Sequence, residues 1–145
     1  MLVIKKSINS LDLPQHLLYY VLNKTMKGGN CVKLYLDDIR NPHQSGYQDS
    51  EWIVCRNDKT FKDMFMSFDS IITHISFDND IDSYDENENE VTGYDCVKWL
   101  CDYILDNNLD ISNLTLKFHT ANPVGRVNMA SYWNNFYKYY RSING

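Results

Sequence analysis

The chain has 145 residues, 43% hydrophobic and 14% aromatic, which is enough for one domain with a substantial core and too apolar for a disordered tail. A formal charge of −5 and a pI near 5.2 argue against nonspecific binding to long nucleic acid, which needs a positive face. They leave room for a nucleotide ligand, because a metal reverses the local charge. No apolar run approaches the roughly 18 residues of a membrane span. Met1-Leu2-Val3-Ile4 runs straight into Lys5-Lys6, unlike a secretory leader, so a cytoplasmic, reducing location and no membrane partner are expected.

Residues 1–30 read as an N-terminal extension and residues 31–145 as one α/β domain. The extension carries four lysines against Asp12, a net +3 where the rest of the chain carries −8. Residues 13–22 predict a short helix with Asp12 as its cap and Pro14 in its first turn. Lys27-Gly28-Gly29-Asn30 then breaks the chain. The extension is expected to dock on the domain or on a protein partner.

Within the domain, residues 32–37 predict a strand and residues 51–55 a short second one. Phe61, Met64, Phe65 and Phe68 recur at helical spacing, so residues 60–68 predict a helix. A third strand spans 71–77, and residues 78–92 read as a polar acidic loop whose 82–90 stretch is mobile, solvated and able to act as a lid. Thr92-Gly93-Tyr94-Asp95 opens an amphipathic helix with Val97, Leu100, Cys101, Ile104 and Leu105 on one face, ended by Asn107-Asn108. A fourth strand covers 113–119. The last helix, 124–142, carries Met129, Trp133, Phe136, Tyr137 and Tyr140. This alternation predicts a mainly parallel sheet of about four strands with right-handed crossovers. Cys31, Cys55, Cys96 and Cys101 form no CxxC pair and no zinc-spaced cluster, so they read as small buried apolar residues.

Three of the strands end in polar chemistry: Asp37-Asp38 with Arg40 after the first, Asp78-Asn79-Asp80 after the third, and His119-Thr120-Ala121-Asn122 after the fourth. Open α/β sheets place their sites at this carboxyl edge. Carboxylates at 37, 38 and 78 would suit Mg²⁺ or Mn²⁺, a hard cation that takes few carboxylates. The alternative is that one Asp caps a turn while the other is solvated. Asp78-Asn79-Asp80-Ile81-Asp82 has the opening of a calcium loop, but Ser83 and Asn89 stand where that loop needs Gly and Glu. Asp82, Asp85, Glu86, Glu88 and Glu90 read as solvated rather than as ligands. His119 has the chemistry of a general acid or base. Thr120 and Asn122 are hydrogen-bonding candidates, and Arg126 opens the last helix, where backbone amides already favour an anion. Alternatively, Thr120 or Asn122 caps that helix.

Four blocks, L-Y-L-D-D-I-R-N-P, I-S-F-D-N-D, T-G-Y-D-C-V-K-W-L and H-T-A-N-P-V-G-R-V-N-M, occur in order over about residues 31–140. Together they resemble the cyclic-phosphate processing receiver-like family, an offshoot of the response-regulator receiver domain found in bacteria and phages. The resemblance implies a three-layer, flavodoxin-like fold and the handling of a cyclic phosphate on a nucleotide or an RNA-repair by-product. It also implies that Asp37 and Asp38 match the acidic pair holding Mg²⁺, that Asp78 matches the phospho-acceptor, and that Thr120 matches the hydroxyl residue after the fourth strand. The chain departs from ordinary receivers in lacking a fifth strand ending in an invariant Lys, so a phosphorelay role is not expected. Arg126 is a candidate replacement for that cation.

The leading expectation is therefore a metal-assisted phosphoesterase acting on a small nucleotide or cyclic-phosphate ligand. Asp78, His119 and Thr120 would be catalytic, while Arg40, Asn122 and Arg126 would grip phosphate. Asp37, Asp38 and Asp78 would hold Mg²⁺ or Mn²⁺. One rival is a module that captures a cyclic nucleotide without turnover. Another is a degenerate receiver that binds protein through aromatics such as Trp133, Tyr137 and Tyr140.

Overall fold

Alternating apolar residues set one face of a parallel sheet against helices. The computed structural model describes residues 15–26 and 31–144. In chain order these form α1 (Gln15–Met26), β1 (Val32–Leu36), β2 (Ile53–Cys55), α2 (Asp58–Phe68), β3 (Ile72–Phe77), β4 (Ser83–Tyr84), β5 (Glu90–Val91), α3 (Gly93–Asn107), β6 (Thr115–Phe118) and α4 (Pro123–Asn144). The main sheet has four parallel strands in the order β2-β1-β3-β6. The chain leaves β1 toward β2 and then returns across it to β3, so the switch point of this receiver-like winding lies between β1 and β3.

Leu34, Leu36, Ile53, Cys55, Ile75 and Phe77 are buried and occupy matching alternate positions on one face. α2 covers them with Phe61, Met64, Phe65 and Phe68, each burial worth about 2 kcal/mol. Phe61 meets Phe77 edge-on at 5.3 Å and Trp99 of α3 at 6.0 Å. α4 lies beside α3, where Tyr94 meets Tyr132 at 5.9 Å. The predicted helices start where their caps stand. Asn57 accepts the Thr60 amide at 2.8 Å, Thr92 and Asp95 form a capping box, and Asn122 accepts the Gly125 amide at 3.0 Å.

The opposite face carries Lys33, Tyr35, Ser76 and Lys117. A parallel pair usually takes a helical crossover, but β1 connects to β2 through two short 3₁₀ turns, Pro42–Ser45 and Asp49–Glu51. Between them Tyr47 stacks on Trp52 at 4.7 Å, and both stand edge-on to Tyr35 at 6.3 Å. The sheet thus lies between a helical layer and an aromatic loop.

Of the expected N-terminal extension, residues 1–14 and 27–30 lie outside the described residues. The described helix α1 runs four residues beyond its expected end, and its Leu17 and Val21 are buried in the common core. The Tyr20 hydroxyl donates to the Ser50 carbonyl. The expected acidic loop contains structure: β4 and β5 pair as an antiparallel hairpin. Its turn is closed by the Asp85 carboxylate, which accepts the Asn87 and Asn89 amides at 2.8 and 2.9 Å. Short-range bonding by an Asp in a turn, rather than net charge, decides that conformation.

Candidate functional site

The sheet ladder continues one residue past the strands and delivers the site backbone. The Asp37 amide donates to the Cys55 carbonyl at 3.1 Å, that of Asp78 to Leu36 at 2.9 Å, and that of His119 to Phe77 at 3.0 Å. β1 ends at Leu36, so Asp37 and Asp38 stand on the turning chain instead of on opposite faces of a strand. One carboxylate oxygen from each of Asp37, Asp38 and Asp78 lies within 4.8 Å of the others.

Asp37 is completely buried. Its Oδ1 accepts the amides of Ile39 at 3.0 Å and Arg40 at 2.7 Å. Its Oδ2 accepts Arg40 Nε at 2.9 Å and pairs with His119 Nε2 at 3.0 Å. A carboxylate offers about four lone-pair sites, so Asp37 is saturated. Burial pushes its pKa up, but the Arg40 and Ile39 amides, the His119 bond and the Arg40 charge outweigh burial and hold it below the usual range. Arg40 bridges to a second carboxylate, with Nη2 3.1 Å from Asp78 Oδ1. That oxygen also accepts the Asn79 amide at 2.8 Å. Among the described residues, Asp78 Oδ2 and both oxygens of the half-buried Asp38 accept no hydrogen bond.

His119 lies beneath this cluster with its side chain only 3% exposed. Burial is the main cause that lowers its pKa, against the opposing pull of Asp37 and Asp78, so the ring is neutral near pH 7. An ionised carboxylate can only accept, which places the ring proton on Nε2. Nδ1 therefore accepts from the Ser76 hydroxyl at 2.8 Å. Ser76 is in turn 3.4 Å from the Tyr47 hydroxyl. Tyr35 stacks flat on the imidazole at 4.2 Å with an 8° interplanar angle. Both ring nitrogens face protein partners, so this conformation assigns His119 to positioning Asp37.

The remaining residues of the expected site shape the turn into α4. Thr120 is 1% exposed, and its hydroxyl accepts the Asn122 amide at 3.1 Å. Asn122 caps α4 and reaches Asp80 Oδ2 at 3.4 Å. Arg126 is exposed, and its guanidinium donates to the Thr120 carbonyl. The cation beside Asp78 is thus Arg40 rather than Arg126. Local geometry explains the difference: the two amides that Asp37 captures turn the chain back so that Arg40 lies over both acids.

Four contributors escaped the sequence reading: Ser76, Tyr35, Tyr47 and Arg56. Arg56 donates to the carbonyls of Arg40 at 2.7 Å and Asp37 at 3.3 Å and to Asn41 Oδ1 at 2.6 Å, fastening the loop. It follows the last residue of β2, so the strand-end rule that found the other three loops also points to it. Gly93 supports Asp78 from below. Its amide donates to the Asn79 carbonyl at 2.8 Å, and a Cβ there would lie 1.8 Å from the Asp78 carbonyl oxygen.

Four parallel strands, helices packed on one face and acids at the switch point define a receiver-like domain. The chain belongs to the cyclic-phosphate processing receiver domain family, whose model matches residues 32–135. No curated protein and no solved structure shows significant similarity to it. Among the described residues no helix is long and apolar enough to cross a membrane.

Proposed function

We propose that the domain is a metal-assisted phosphoesterase that opens a cyclic phosphate on a nucleotide or RNA-derived small molecule. The observation that carries this reading is the convergence of Asp37, Asp38 and Asp78 within 4.8 Å. An oxygen-only donor set suits a hard divalent cation such as Mg²⁺ or Mn²⁺. The undonated oxygens of Asp38 and Asp78 fit that use. When bound, the metal would offset charge on the phosphoryl oxygens and acidify a water.

The chain's own groups do the rest. Arg40 grips the phosphoryl group in the pocket and the exposed Arg126 grips it at the rim, beside the N-terminus of α4. Water adds at phosphorus and one ring P–O bond breaks. The water proton passes to Asp78 Oδ2, and the departing ring oxygen takes a proton. Asp78 Oδ2 returns the water proton to that oxygen, while His119, a neutral ring whose one N–H lies on Asp37 Oδ2, holds that carboxylate in place. Thr120 and Asn122 hold the loop that presents Arg126.

A second reading, capture of a nucleotide without turnover, is favoured by one observation: both nitrogens of His119 are engaged in a buried ring stack. Incubation of a ribonucleoside cyclic phosphate with the protein and Mg²⁺ or Mn²⁺, followed by phosphorus NMR, separates the two. A ring-opened product that Asp78→Asn no longer forms is the expected result. Calorimetric heat without product would establish the binding module, and neither heat nor product would sink both readings.

A further inference from the structure

We infer that Arg40 is an exchangeable internal cation, whose guanidinium passes from Asp37 and Asp78 to the phosphate when a divalent metal binds. The inference rests on the reading of the three acids as a metal site. Its basis is the filling of Asp37. All four lone-pair sites of this carboxylate have N–H donors, so a metal can use Asp37 only if a donor leaves.

The donors differ in how freely they can go. The Ile39 and Arg40 amides belong to a loop fastened by Arg56 through three hydrogen bonds. His119 is clamped by Ser76 and by the Tyr35 stack. The Arg40 side chain is 29% exposed and sits on a flexible stem. Its departure frees a lone pair on Asp37 Oδ2 and another on Asp78 Oδ1 at once. The third guanidinium contact, Nη1 to the His119 carbonyl at 3.5 Å, is marginal.

Charge balance favours the exchange. Three carboxylates with Arg40 leave the pocket at −2, which attracts a divalent cation and repels a phosphate. With the metal in place the same acids carry −1, and Arg40, still anchored by its backbone at the pocket's edge, adds its charge on the phosphate side. The acids therefore accept metal first and anion second, and Arg40 couples the two events.

The test is Mg²⁺ and Mn²⁺ calorimetry on the wild type and Arg40→Gln, with the Arg40 Nε–H resonance followed by NMR through the wild-type titration. Removing a positive charge that competes for the same oxygens should tighten metal binding about tenfold. The Nε–H resonance should move with the same midpoint as the heat. Inorganic phosphate added to the metal-saturated proteins should bind the wild type more tightly than Arg40→Gln. If the wild type binds metal, Arg40→Gln binds it no better and the resonance stays still, the exchange is overturned while the metal site stands. If neither protein takes metal, the metal-site reading falls and the exchange with it. Should Arg40→Gln fail to fold, the wild-type resonance decides alone.

Discussion

Asp37→Asn keeps the side-chain shape and removes the charge on which the pocket is organised. The amide oxygen can still accept the Ile39 and Arg40 amides. The amide NH₂ then faces Arg40 Nε–H and His119 Nε2–H, donor against donor, in a fully buried position. Two charge-assisted bonds are lost, each worth about 1.5–3 kcal/mol. Relief of repulsion among three close acids returns about 1 kcal/mol. The expected net loss is about 3 kcal/mol, or roughly 10 °C in Tm for a domain of this size.

The pH dependence separates charge from shape. The net effect of the surrounding groups is to lower the Asp37 pKa on folding. A carboxyl of that kind stabilises fully above its unfolded value, near about 4, and loses the contribution as pH falls through its folded value. The variant has no such ionisation. Urea unfolding should therefore show the full gap between the two proteins at about pH 7 and a shrinking gap below about pH 4. Equal stability at neutral pH would mean that relief of repulsion among the acids fully offsets the two lost bonds, and the account of Asp37 would be wrong. A gap that does not change with pH would trace the loss to the misplaced amide alone.

Gly93→Ala should cost about 2–3 kcal/mol, because its Cβ would fall 1.8 Å from the Asp78 carbonyl oxygen and the loop must shift; thermal melting, together with amide shifts at Asp78 and Asn79, tests this. Ser76→Ala should cost about 1 kcal/mol by taking away the hydroxyl bonded to His119 Nδ1, and a variant as stable as the wild type would discount that bond. Because burial lowers the His119 pKa, the unfolded chain takes up a proton that the folded one resists. That contribution is complete above about pH 6.5 and is lost as pH falls through the folded value; His119→Gln should flatten this part of the stability profile, and a persistent slope would assign it elsewhere. Burial pushes the thiols of Cys55, Cys96 and Cys101 up to about 12. A thiol reagent should therefore label the half-buried Cys31 first, and fast labelling that survives Cys31→Ser would contradict the packing.

The helices and strands were legible because their apolar residues follow periods of 3.6 and 2, as in Phe61-Met64-Phe65-Phe68 and in Leu34 and Leu36 flanking Tyr35. The acids were legible because an apolar strand that stops on charge points to the edge where open sheets carry their chemistry. Direction was less accessible. A strand end places His119 near Asp37, yet which way the ring turns depends on Ser76, 43 residues away, and on the Tyr35 stack. Ser76 itself reads only as a polar position in an apolar strand. Arg126 was favoured by its place at a helix start. Arg40 wins by the turn that Asp37 builds from its own neighbours' amides, which is settled by bond geometry within three residues and not by composition.

The aromatic loop and the acidic pocket form one construction. Tyr47 covers the sheet where a crossover helix would otherwise pack, and its hydroxyl lies 3.4 Å from Ser76. Ser76 holds His119 Nδ1 while Asp37 keeps the ring proton on Nε2, so the ring that Ser76 orients in turn orients Asp37 Oδ2. Lys117 lies 5.2 Å from the Tyr47 ring centre and Lys33 lies 5.7 Å from that of Trp52, closing the rings from the solvent side. An apolar helix in the same place could bury Tyr35 equally well, but it would offer the Ser76 hydroxyl no partner and leave the ring orientation of His119 less constrained. The missing crossover helix is thus tied to the orientation of the buried acid at the centre of the site.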